Sequence, residues 1–221
     1  MATSAGGGRP LPGGVWRPNA HDRYQLTGPT GCGKTYLAKA LSSSFAAVPP
    51  WLVLWIDPKS ERSLRAIPPI ELPEIGTAQG VRRLTVPPFV GAAEEAFAAV
   101  WARRIGPEGE AYCLVVVDEL PMVATEQKPG TYLRWLYGQG RSREIGAIGL
   151  MQDPVRVPVM CKTQAEHHLT WRLRNPDYIA DVARGCGQDP AAFARHMAAL
   201  GEHECLLHSD ALPDLARLRV A

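Results

Sequence analysis

Tyr24-Gln25-Leu26-Thr27-Gly28-Pro29-Thr30-Gly31-Cys32-Gly33-Lys34-Thr35 is the stretch on which the reading of this chain turns. From Gly28 onward it follows a phosphate-binding pattern: a glycine, four residues of any type, Gly-Lys, then Ser or Thr. The pattern has a physical basis. Gly28, Gly31 and Gly33 let the backbone wrap closely round an anion, and successive N–H groups then point inward at it. Lys34 can reach the β- and γ-phosphates of a nucleotide, and the Thr35 hydroxyl can ligate Mg²⁺. Pro29, Thr30 and Cys32 complete the loop, and loop N–H groups facing phosphate are a setting that lowers a thiol pKa at Cys32. A Gly-rich turn would match part of this by chance. The flanks argue otherwise: a short apolar strand precedes the loop, and Tyr36-Leu37-Ala38-Lys39-Ala40-Leu41 reads as a helix whose N-terminus faces the phosphates.

Working outward, Pro49-Pro50 breaks the chain, and Trp51 to Ile56 is a continuous apolar run, as expected of a strand buried on both faces. It ends in Asp57-Pro58-Lys59. Residues 60–80 read as loop with one helical turn, Arg83 to Val86 as a short strand, and Ala92 to Ile105 as a helix. Ala111 to Val117 is the most apolar strand, and it ends in Asp118-Glu119. A helix over 131–138 leads through Gly140, Arg141 and Arg143 to a strand over 147–151 that ends in Gln152. Further on come a strand over 167–172, a helix from Pro176, a helix over 190–200 and a strand over 204–208. Strands alternating with helices predict an α/β fold with a mostly parallel central sheet flanked by helices.

The 221 residues, 46% of them apolar, suit one large domain over 21–221 behind a Gly/Pro-rich mobile arm at 1–20. A net charge of +2 gives no global signature of nucleic-acid binding, so any such contact must come from local patches. Five scattered cysteines without metal-type spacing suggest reduced thiols. No apolar run approaches membrane-spanning length, and the opening residues carry no apolar core of a signal peptide.

Asp118 and Glu119 are the expected partners of the phosphate loop. Asp118 would hold Mg²⁺, directly or through water, and Glu119 would polarise the water that attacks the γ-phosphate. The adjacent glutamate favours hydrolysis over transfer to a small acceptor. Gln152 faces the γ-phosphate if its strand lies between those of the loop and of Asp118. Arg141 or Arg143 can offset charge on a transferring phosphate, often from a neighbouring subunit, although cations also suit a solvated helix end. Arg62, Arg65, Arg82, Arg83 and Lys128 fall in expected loops, where they could hold DNA phosphates or simply be solvated. His167-His168, with no third ligand nearby, read as strand residues.

The order of these motifs resembles the FtsK–HerA superfamily of DNA-pumping ATPases. The specific part is the Arg141–Gln152 unit together with Asp57-Pro58-Lys59; Leu169 to Leu173 with Asn175-Pro176-Asp177 resembles the family's late strand and helix. Cys32 and Asp153 depart from the usual pattern. The resemblance covers about Tyr24 to His208. It implies a RecA-like (ASCE-type) P-loop NTPase form of the α/β fold, ATP and Mg²⁺ as cofactors, Arg141 rather than Arg143 as the arginine finger, a homo-oligomeric ring (a hexamer) and double-stranded DNA as partner. The length points towards genome-packaging ATPases of membrane-containing double-jelly-roll viruses. That branch implies capsid-vertex or virion membrane proteins as further partners, and a place in the host cytoplasm or virion. Two rival expectations stand beside it: a small-molecule kinase, and an ATP-switched scaffold without motor activity.

Overall fold

The computed structural model describes residues 16–220. One sheet of eight strands runs through it: β1 (Arg23–Thr27), β2 (Leu52–Asp57), β3 (Gly80–Thr85), β4 (Cys113–Val117), β5 (Ile145–Met151), β6 (His167–Trp171), β7 (Glu204–Ser209) and β8 (Ala216–Arg219). Their order is β3-β2-β4-β5-β1-β6-β7-β8. All neighbours from β3 to β6 are parallel, and β7 and β8 are added antiparallel. The helices are α1 (Lys34–Ala46), α2 (Glu94–Ala102), α3 (Thr131–Gln139), α4 (Val159–Thr163), α5 (Pro176–Gly185) and α6 (Pro190–Ala198).

The continuous apolar strands follow from burial on both faces. On β2, Leu52, Leu54 and Ile56 join a core with α2 and α3, while Val53 and Trp55 join a second core with α1 on the other side. On β4, Cys113, Val115 and Val117 face the first core, and Leu114 and Val116 the second. Alternate residues of one strand thus feed two separate cores, which is why neither face needs polar side chains. A third cluster packs Val182, Ala183, Phe193 and Met197 of α5 and α6 against Leu206 of β7. Among the described residues no helix is long and apolar enough to cross a membrane.

Parallel strands bring their C-terminal ends to one edge. The register pairs Thr27 with Met151 and Val117 with Gly149, so Gly28, Asp118 and Gln152 emerge side by side, with Asp57 beyond them on β2. β5 lies between β4 and β1, the position required for Gln152 to face the loop. This edge is where open α/β sheets place their ligands.

The arm expected over residues 1–20 lies, up to Val15, outside the described residues. From Trp16 the chain packs on the opposite edge: the Trp16 indole N–H donates to His167 Nδ1 at 3.3 Å, and the Tyr24 hydroxyl donates to the Asn19 carbonyl at 2.6 Å. Residues 60–80 hold two 3₁₀ turns, at 62–64 and 72–76. α4 and β8 have no counterpart in the sequence reading. Both are short, and Ala216-Arg217-Leu218-Arg219 alternates with charges as an edge strand does.

Candidate nucleotide site

The loop between β1 and α1 owes its shape to its glycines. Gly31 and Gly33 hold φ of 79° and 111°, a region L side chains avoid. Gly28 is needed for a different reason, since a Cβ there would lie 2.8 Å from both Cys32 Sγ and Trp171 Cβ. The Lys34 ammonium curls over the loop and donates to the carbonyls of Gly28 and Pro29 at 2.7 and 2.8 Å. Burial lowers its pKa, opposed by the charges of Cys32, Glu119 and Asp118. The lysine is therefore pre-positioned over the loop that the sequence assigns to phosphate. Cys32 runs against the sequence expectation. Burial pushes its thiol pKa up, and this outweighs the opposing pull of Lys34. A cavity of about 580 Å³ opens beside the loop, walled by Thr30, Gly31 and Cys32 on one side and by Arg172, Arg174 and Glu202 on the other.

Asp118 and Glu119, adjacent in sequence, have different surroundings. Burial raises the Asp118 carboxyl to about 6, with Lys59 pulling the other way. Among the described residues its side chain makes no hydrogen bond or ion pair, so a desolvated carboxylate stands unpaired near Lys34. That donor chemistry, with the Thr35 hydroxyl at the start of α1, fits a hard divalent cation such as Mg²⁺.

Glu119 has a left-handed backbone (φ 66°, ψ 67°) at the strand tip. Its carboxylate accepts three hydrogen bonds. Oε1 takes the Gln152 backbone N–H at 3.0 Å, and Oε2 takes Gln152 Nε2 at 2.8 Å and Lys59 Nζ at 2.7 Å. Gln152 in turn accepts from the Thr30 hydroxyl at 2.9 Å. One chain of contacts thus joins the tips of β2, β4 and β5 to the phosphate loop.

The part played by Asp57-Pro58-Lys59, which sequence left open, is visible here. Asp57 is fully buried and accepts the backbone N–H groups of Lys59 (3.3 Å) and Glu61 (3.0 Å) on Oδ1, while Arg83 of β3 meets Oδ2 at 3.3 Å. The aspartate builds the turn, and the turn delivers Lys59 to Glu119. The sequence signal was present, as Asp-Pro-Lys at a strand end with a cation two residues from a buried acid. Its partner sixty residues away was not.

Arg141 and Arg143 lie in the 3₁₀ turn Gly140–Arg143, which precedes β5. They are therefore at the opposite edge of the sheet from Gln152. The seven residues of β5 separate Arg141 from its own loop by roughly 20 Å. Arg143 is fixed in place: it stacks 4.3 Å over the Trp101 ring and donates to the carbonyls of Trp101 and Arg103. Arg141 is 58% exposed and only touches Glu166, at 3.6 Å, whose stronger partner is Arg23 of β1. Of the basic residues expected in loops, Arg62, Arg65 and Lys128 are exposed on turns. Arg82 and Arg83 are not in a loop. They belong to β3, which overlaps the strand expected from Arg83 and starts three residues earlier, and Arg83 is engaged by Asp57 because the parallel pairing of β2 with β3 sets it alongside that strand's acidic end.

A mostly parallel sheet with this loop, these strand-end acids and covering helices on both faces is the architecture of P-loop NTPases. No protein-family model matches the sequence, and no curated protein matches it. Solved structures do match. The genome packaging NTPase B204 from Sulfolobus turreted icosahedral virus 2, in complex with AMPPCP, superposes with a TM-score of 0.74 at 16% identity, over 92% of this chain and 100% of that one. VirB4 of Thermoanaerobacter pseudethanolicus gives 0.63 at 10% identity, over 93% and 91%. The pCW3 conjugation coupling protein TcpA gives 0.62 at 15% identity, over 90% of this chain and 60% of that one. At these identities the likeness is one of fold.

Proposed function

We propose that this protein is an ATPase that assembles as a homo-oligomeric ring, a hexamer, and drives double-stranded DNA through it as a viral genome-packaging motor does. The observation that carries the reading is the contact chain Lys59–Glu119–Gln152–Thr30, which ties a strand-end glutamate to the phosphate loop through Gln152. In this reading the loop residues Gly28 to Thr35 hold the nucleotide phosphates, with Lys34 as their fixed cation. Thr35 and Asp118 would hold Mg²⁺, which supplies charge neutralisation at the phosphates. Glu119 orients and deprotonates the attacking water, and Gln152 reports the state of the γ-phosphate to β5. The likeness in fold to a protein described as a genome packaging NTPase, crystallised with an ATP analogue, supports nucleotide binding and the packaging role. Capsid-vertex or virion membrane proteins are the further partners this role requires.

The test is ATP turnover with and without double-stranded DNA. The wild type should hydrolyse ATP faster with DNA. Glu119→Gln should bind ATP normally while kcat falls about 10²–10⁴-fold, the range for loss of a positioned general base. DNA without effect on turnover would count against the motor, and normal turnover in Glu119→Gln would remove the base assignment.

A further inference from the structure

We infer that Lys59 is a positioning residue that latches Glu119, suppressing hydrolysis until the latch opens. The inference rests on the reading of Glu119 as the base. A carboxylate has about four acceptor positions. Three of them are filled here, two by Gln152 and one by the Lys59 ammonium at 2.7 Å. Both bonds to Oε2 are charge-assisted, the stronger kind, and together they saturate that oxygen. A water held for attack therefore competes for the one remaining position on Oε1, which already accepts the Gln152 backbone N–H.

Three features make this arrangement built rather than incidental. Lys59 is brought there by Asp57, whose buried carboxylate organises the turn through two backbone N–H groups and is itself pinned by Arg83. Glu119 adopts a left-handed backbone that non-glycine residues rarely occupy, and this sets its side chain between the tips of β2 and β5, where the donors are. The Lys59 side chain is 30% exposed, whereas that of Glu119 is 12% exposed, so the ammonium is the member of the pair that can swing out to solvent or to an arriving anion. The latch opens by movement of Lys59 while Gln152 keeps the carboxylate aligned.

The experiment compares full-length wild type, Lys59→Met and Lys59→Arg in steady-state ATP hydrolysis without DNA, with nucleotide binding followed separately by a fluorescent ATP analogue. Lys59→Met keeps the aliphatic stem and removes the charge. It should raise kcat about threefold to tenfold, the range implied by losing one charge-assisted hydrogen bond on a part-exposed carboxylate, with KM within about threefold of wild type. Lys59→Arg should restore the wild-type rate, which a loss of turn structure alone would not explain. Wild-type turnover that Lys59→Met leaves unchanged overturns the latch. Turnover lowered by Lys59→Met and restored by Lys59→Arg also overturns it, and makes Lys59 a direct participant instead. ATP bound but hydrolysed by none of the three proteins removes the hydrolytic reading together with the latch.

Discussion

The two edges of the sheet carry charge in different ways. At the C-terminal edge, Lys34, Lys59, Asp118 and Glu119 crowd together around the phosphate loop, and burial shifts the pKa of Lys34 and Asp118. At the N-terminal edge, Arg23 and Glu166 pair closely, His167 meets Asp22 at 3.0 Å, Arg143 is bound to backbone carbonyls, and Arg141 alone stands mostly free. Among the described residues, one edge has an unpaired buried carboxylate and an over-engaged one, while the other joins most of its charges in pairs and leaves the Arg141 guanidinium exposed. Tension of the first kind makes the C-terminal edge the candidate reaction site, and pairing of the second kind is what a scaffold needs. Arg141 is exposed on this edge, roughly 20 Å from its own loop, and among the described residues its side chain meets only Glu166, at 3.6 Å.

The sharpest way to break this contrast is to remove each arginine in turn. Arg141→Ala should lower turnover about a thousandfold while nucleotide affinity and thermal stability stay near wild type, because a finger acts on the transition state of a neighbour. Arg143→Ala should do the reverse. It loses a cation–π contact and bonds to two carbonyls, for about 1–3 kcal/mol of stability, seen as a lower Tm with residual kcat in the folded fraction. If the two variants exchange these phenotypes, Arg143 is the finger.

A smaller effect tests the scaffold edge. His168 of β6 is buried, and burial with the nearby His208 brings its pKa down to about 4. Its ordinary value is 6.5, so the unfolded chain binds the proton first as pH falls. The neutral buried form therefore contributes stability that is complete above about pH 6.5 and is lost progressively down to about pH 4, up to about 3 kcal/mol. In denaturant titrations, His168→Leu should flatten the stability profile over that window. An unchanged slope would mean that His168 is not held neutral.

The sequence made one of these edges far more legible than the other. The phosphate loop is read from local chemistry, since glycines with positive φ, a lysine and a threonine at fixed spacing need no tertiary knowledge. The apolar runs at β2 and β4 announced strands buried on both faces, and the acids that end them pointed to the candidate site. Lys59 was visible but unassigned, because its meaning lies in Glu119, sixty positions on. The strand expected from Arg83 starts earlier, at Gly80, so Arg82 was misplaced in a loop, and Arg83, counted with the loop cations, is instead met by Asp57. The packing of Trp16 under His167 had no sequence signal either, since a Gly/Pro-rich lead gives no hint of where it docks. Cys32 was misjudged because the loop's N–H groups are visible in sequence, while the burial against the core that overrides them is not.

The central claim is that the two edges meet between subunits, with Arg141 of one chain completing the site of the next. Mixing two inactive variants tests it most directly. Lys34→Ala subunits lack the phosphate-binding cation but carry Arg141; Arg141→Ala subunits have an intact loop and no finger. Each alone should be nearly inactive, and rings shown by native mass measurement to contain both should recover DNA-stimulated ATP hydrolysis, in proportion to the number of Lys34→Ala neighbours presenting Arg141 to an intact loop. Verified mixed rings that stay as inactive as their parents would contradict the account.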